Sequence, residues 1–304
     1  MKPRNPYLDT IARIPLEVVL LIVPLFLIKK FLLKPALALL PLSTIAAHTI
    51  QGLVTLCMIL GAYVLIVRLL EKRTVTELSP ASAGRETALG FVAGFGMMSA
   101  IVGALGVLGV YSIAGVAFST QLIETTVWIF VLAMLEEILF RGIAYRIIEQ
   151  NFGTVVALVV SASIFGGMHI TNENATLISV LSATLGGLFV GLFYTLTGRL
   201  WLPIFFHYGW NLSQIFWGTA LSGMEEFGKF FEGRLEGPAW LTGGAFGPEN
   251  SVIALAACVA LLACSFALAR RRGLIVPFRR KAESARNGAT GDSPQSAPAA
   301  VKGQ

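Results

Sequence analysis

Charge is scarce in this chain. Asp, Glu, Lys and Arg make up 13% of its 304 residues, against 55% that are hydrophobic. A soluble domain carries about 25% charged residues, so an ordinary water-soluble globule is excluded. Histidine is scarcer still, at three in the whole sequence. Cysteine is equally rare: Cys57, Cys258 and Cys264 all lie in apolar runs, and no C-x-x-C pair exists. A disulfide framework and a thiolate metal site are set aside on that basis, and the three read as small buried hydrophobes. No internal repeat is present. The net charge of +6 is not a nucleic-acid footprint, because the excess Lys and Arg lies in end segments and between apolar runs.

What is present is long apolar runs, and about 20 such residues span a bilayer core as a helix. Eight helices are expected, at roughly 14–33, 45–68, 87–111, 119–147, 154–170, 175–197, 201–221 and 251–269. The fold class is therefore all-α, a polytopic membrane protein. Lys2, Arg4 and Arg13 before the first run give it the look of a signal peptide. Lys29-Lys30 follow with no small-residue cleavage site, so the run reads as a retained helix. Three basic groups fall on one side if there are eight spans: the first just named, Arg68 to Arg85, and Arg270 to Arg286. Both termini are then cytoplasmic, although Lys29, Lys30 and Lys34 go against the rule. Ala183-x-x-x-Gly187-x-x-x-Gly191 and Gly90-x-x-x-Gly94 form small-residue ridges that suit close helix packing. Residues 222–250, rich in Gly and in Glu225, Glu226, Glu232, Glu236 and Glu249, read as an extracytoplasmic loop. Residues 281–304, made of Ala, Ser, Gly, Pro and charge, read as a disordered cytoplasmic tail.

Against this apolar background three motifs stand out: Glu136-Glu137-x-x-x-Arg141, Phe165-x-x-x-His169 and His207-x-x-x-Asn211. Each charged group costs roughly 2.5–3.5 kcal/mol at the centre of a membrane helix on insertion scales. Retaining several points to chemistry. Residues four apart share a helix face, so Glu137 and Arg141 suit an intrahelical ion pair. Glu136 is turned away from that face and is free for general base and then general acid work. Phe165 would shield the imidazole of His169 from water. His207 and Asn211 on one face could hold a developing oxyanion. They could equally ligate a metal, or Asn211 could orient His207. Glu136 and His169 lie at similar distances either side of the turn at 149–153, so antiparallel helices bring them to similar depth. His207 joins them only if the Thr197-Gly198-Arg199 turn is drawn into the membrane beside a cavity. His48, with no motif around it, reads as a helix-end polar group.

In order and spacing, these motifs resemble the CPBP family of intramembrane proteases. That family includes the type II CAAX prenyl endopeptidases and relatives with an Abi domain. Glu136-Glu137-Ile138-Leu139-Phe140-Arg141 fits its E-E-x-x-x-R pattern, and the other two motifs fit F-x-x-x-H and H-x-x-x-N/D. The likeness covers about 121–214. It implies that Glu136 and His169 activate a water for attack on a peptide carbonyl. It implies that His207 and Asn211 stabilise the oxyanion, while Glu137 and Arg141 hold the catalytic helix in place and Phe165 supports the site. A metal, if one is used, would be zinc on Glu136, His169 and His207. The i, i+4 histidine pair of H-E-x-x-H is absent, so zinc stays an open cofactor.

The organisation expected is helices 1–3 in 1–118, a catalytic core of four helices in 119–221, the loop 222–250, helix 8 at 251–269 and the tail 281–304. The activity expected is hydrolysis of a peptide bond in a membrane-bound protein or peptide, in a bacterial inner or plasma membrane, with no nucleic-acid partner. A non-catalytic scaffold or immunity protein that keeps the fold is the alternative. A proton-coupled carrier ranks lower, because two corresponding halves with broken helices are missing.

Overall fold

Backbone polar groups find no water inside a bilayer, so apolar runs of this length satisfy them internally as helices. The computed structural model describes residues 11–278. All eight apolar runs fold that way. In chain order the helices are α1 (Arg13–Ile28), α2 (Thr44–Ile66) and α3 (Ala83–Val107). Next come α4 (Gln121–Glu137), a π-helical stretch (Ile138–Tyr145) and α5 (Arg146–Phe152), which together form one unbroken rod. Then follow α6 (Thr154–Met168), α7 (Leu177–Thr197), α8 (Trp201–Phe216) and α9 (Val252–Arg271). The protein is an all-α, polytopic membrane protein. The tail 281–304, with Lys2 and Arg4, lies outside the described residues.

Eight membrane spans were expected, and among the described residues five helices are long and apolar enough to cross a bilayer: Thr44–Glu71, Thr76–Val107, Thr154–Thr171, Leu177–Thr197 and Val252–Arg271. The remaining three runs are α1, α4 and α8, and each falls short for a visible reason. Helix α1 carries Arg13 and Glu17 and runs on into Lys29 and Lys30, while α4 carries Glu124, Glu136 and Glu137. Helix α8 has only 16 residues. Two of these three, α4 and α8, bear motifs, and on α4 the motif residues Glu136 and Glu137 are among the charges that reduce its apolarity.

The helices run alternately between two faces of the bundle. One face gathers charge. Arg13 pairs with Glu17 at 3.0 Å, Arg73 with Glu71 and Glu77 at 2.7 Å each, and Arg146 with Glu71. On the same face Arg199 bonds Glu86, and the backbone N–H of Leu200 donates to the backbone carbonyl of Glu77 at 2.9 Å. The other face carries a two-stranded antiparallel ribbon, β1 (Tyr111–Val116) with β2 (Phe231–Leu235), in which Tyr111 sits opposite Leu235 and Val116 opposite Phe231. The third apolar run therefore stops as a helix at Val107 and turns into a strand. Its partner strand comes from the segment read as a plain loop.

Between the faces, glycine sets the packing. A Cβ at Gly94 would lie 2.1 Å from the Phe206 carbonyl oxygen, and one at Gly209 would lie 2.6 Å from that of Phe91. Helices α3 and α8 thus touch backbone to backbone. On α7, a Cβ at Gly187 would meet Ala162 of α6 at 2.9 Å. Lipid offers no hydrophobic drive between helices, so such close approach supplies the van der Waals contact that holds the bundle. The cysteines differ from expectation: Cys258 is buried, but Cys57 and Cys264 are exposed on the outside of the bundle. The outer surface of a membrane helix is as apolar as its inner one, so an apolar run does not predict which residues face inward.

Candidate active site

The long rod supplies the centre of the site. Glu137 closes α4 and is fully buried, and Arg141 in the π-helical stretch is 1% exposed. Arg141 Nη1 donates to Glu137 Oε1 at 2.7 Å, and its Nη2 donates to the Gly187 carbonyl of α7 at 2.9 Å. The ion pair is the expected one. The same Glu137 Oε1 also takes His207 Nδ1 of α8 at 2.9 Å. One buried carboxylate therefore fixes both the guanidinium and the imidazole. π-Helical turns inside α-helices recur at functional sites, and this one follows Glu137 directly.

His169 opens a 3₁₀ turn at the end of α6. Its Nδ1 lies 2.8 Å from the Phe165 carbonyl oxygen. A carbonyl only accepts, so Nδ1 is the donor and the neutral ring leaves its lone pair on Nε2. The Phe165 ring lies 4.7 Å from the His169 ring and 6.1 Å from that of His207, and the Arg141 guanidinium sits 5.2 Å from its centroid. Phe165 is thus the shared wall between all three groups. Glu136 points away from Glu137 and places Oε2 at 3.6 Å from His207 Nε2. That is close enough to act as a charge and too long for a hydrogen bond. Asn211, one turn beyond His207, is buried and makes no side-chain hydrogen bond among the described residues.

These side chains open onto two adjoining cavities. An outer one of about 290 Å³ is lined by Glu136, Phe140, His169, His207, Asn211 and Met224 among others. An inner one of about 70 Å³ reaches Glu137, Arg141, Phe189 and Glu249. Phe165, His169, His207, Asn211 and Ser222 line both. All four residues expected to be catalytic therefore border the outer cavity, and three of them also border the inner one.

Residues 116–213 match the family model for type II CAAX prenyl endopeptidase Rce1-like proteins. The matched segment carries every residue of the three motifs. No curated protein and no solved structure matches the chain. The Rce1-like match supports CAAX-type protease activity and a membrane-associated peptide substrate in general terms.

Within the matched segment, Glu136, His169 and His207 are the donors a metal would need. Among the described residues no three His, Cys, Asp or Glu side chains gather closely enough to hold a metal ion. Glu136, His169 and His207 do not form such a group in this arrangement. His48 stays outside the site, with Nδ1 at 2.8 Å from Glu124 Oε1 at the ribbon end of α2 and α4.

Sequence reading missed Glu249. It was counted among the loop charges, yet the structure places it in the wall of the inner cavity, 9% exposed. Ser222 Oγ donates to its Oε1 at 2.6 Å, and Gln214 Nε2 and Trp210 Nε1 donate to its Oε2 at 2.9 and 3.2 Å. The only signal in the sequence is its position two residues before Ser251, the N-cap of α9. Trp210, one residue before Asn211, is thus a donor to Glu249 and not only a packing aromatic.

Proposed function

We propose that this protein is an intramembrane endopeptidase in which Glu136 and His169 activate a water against a peptide carbonyl. The observation that carries the reading is the convergence of Glu136, His169, His207 and Asn211, from two helices and a turn, on one cavity inside an apolar bundle. Glu136 takes a proton from the water as it attacks and later gives it to the departing amine. The lone pair on His169 Nε2 holds the water in line. Glu137 accepts from His207 Nδ1 and so turns Nε2 toward the reacting centre. Protonated there, Nε2 donates to the oxyanion beside the Asn211 carboxamide, which has no other partner to satisfy. Arg141 neutralises Glu137 and anchors it to α7 through Gly187. Every group in this route belongs to the chain itself.

The reading is tested with purified protein in lipid vesicles and a fluorogenic membrane-anchored peptide. Cleavage should be present in the parent protein, and should be lost in Glu136→Gln and in His169→Ala while thermal unfolding is unchanged. Wild-type rates from Glu136→Gln would sink the assignment. A parallel arm after chelation, with metal content measured, should retain the rate if the route runs on these side chains alone.

A further inference from the structure

The catalytic route uses one side of His207 and leaves the inner cavity without a role. Of the carboxylates and guanidinium in its wall, Glu137 and Arg141 pair with each other at 2.7 Å, and His207 also bonds Glu137. Glu249 is the carboxylate of this cavity that no cation pairs among the described residues. All three side-chain donors to Glu249 are neutral: a hydroxyl, a carboxamide and an indole. A carboxylate has about four acceptor sites, so one on Oε1 is still open. No Lys or Arg other than the already paired Arg141 lines this cavity. The intervening wall is apolar, with Phe189, Val190 and Phe206. Both the cavity and the reacting centre are bordered by His207, Asn211 and Ser222.

An apolar channel that leads from a reacting centre to a buried carboxylate with a spare acceptor site suits a long stem with a cationic tip. We propose that the inner cavity is a specificity pocket for a basic substrate side chain, lysine or arginine, held at its end by Glu249. The idea rests on the protease reading above and adds to it the class of residue recognised near the cleaved bond. Glu249 is placed to do this by the segment 217–250, which folds back over the cavity. Its backbone carbonyl accepts from Ser182 of α7 at 2.7 Å, while its side chain ties Ser222 to α8. A purely structural clamp would use the same hydrogen bonds, so the test reads substrate preference and not activity alone.

The experiment profiles cleavage by the vesicle-reconstituted protein on a library of membrane-anchored peptides. A basic residue should be enriched at one fixed position relative to the cleaved bond. No enrichment at any position overturns the proposal while leaving the protease reading intact, whereas no cleavage of any peptide overturns both. A matched pair that differs only by lysine or acetyl-lysine at that position then measures the charge. The lysine peptide should have the higher kcat/KM, by about 10- to 100-fold, the range expected for a hydrogen bond to a charged group. Glu249→Gln should bring that ratio close to one, whatever its absolute rate, and Glu249→Asp should keep the ratio above one. If Glu249→Gln slows both peptides equally and preserves the ratio, Glu249 is a clamp and the pocket assignment is wrong.

Discussion

Glu137 is the residue on which the others depend. It lies between Arg141 and His207, and its Oε2 has no partner among the described residues. Breaking a buried ion pair by removing one partner costs about 3–5 kcal/mol, because an unpaired charge is left behind. Arg141→Met should therefore lower stability by about that amount, read from denaturant unfolding in detergent. Replacing Asn211 by Ala should lower kcat by about 10²–10³-fold with little change in KM, the usual cost of one oxyanion donor. A fall in KM-dependent binding alone would move Asn211 out of that role. Glu136, His169, His207 and Asn211 were singled out by three short motifs, while the roles proposed for them came from the family those motifs resemble. The bond from Glu137 to His207 was not legible there, because it joins α4 to α8 across the whole core.

At the scale of elements, backbone contact between α3 and α8 holds the helix that carries His207. Gly94→Ala puts a methyl against the Phe206 carbonyl oxygen and should destabilise by about 1–3 kcal/mol, the usual cost of overpacking. Cleavage should drop with it. Gly96→Ala, on the same helix with open space around it, serves as the control and should change neither. Equal effects from both substitutions would show that helix flexibility, and not the close contact, is what glycine provides there. The ridge at Gly90-x-x-x-Gly94 was visible as spacing. Its partner was not, because spacing marks a smooth face without naming what lies on it. The α7–α8 turn has a similar history. It was expected to sit deep so that His207 could reach the site. The Tyr145 hydroxyl lies 2.6 Å from Thr195 Oγ1, so the end of α7 meets the rod about two turns short of Gly153.

For the molecule as a whole, alternating helices separate a charged face from a ribbon face. Arg13 at the start of α1 reaches Glu71 at 3.7 Å, and Val276 beyond α9 bonds Thr154 at 3.0 Å, so both described ends lie on the charged face. Arg13→Cys and Val276→Cys, each made in a background with the native cysteines replaced, should label from the same side of sealed vesicles. Ser112→Cys in β1 should label only from the opposite side. Labelling of Ser112→Cys and Val276→Cys from one side would break the arrangement.

Composition and run length by themselves determined an all-α polytopic membrane protein, because apolar runs of about 20 residues satisfy their backbone polar groups inside a bilayer as helices. The motifs determined which side chains to watch, because burying them is too costly to be incidental. What only the tertiary structure decided is what those groups face. It joined Glu137 to His207, split the site into an outer and an inner cavity around Phe165, and brought Glu249 in from a segment that reads as solvent-exposed. These contacts link residues far apart in the chain, and their energies come from packing and mutual burial, which no local pattern records.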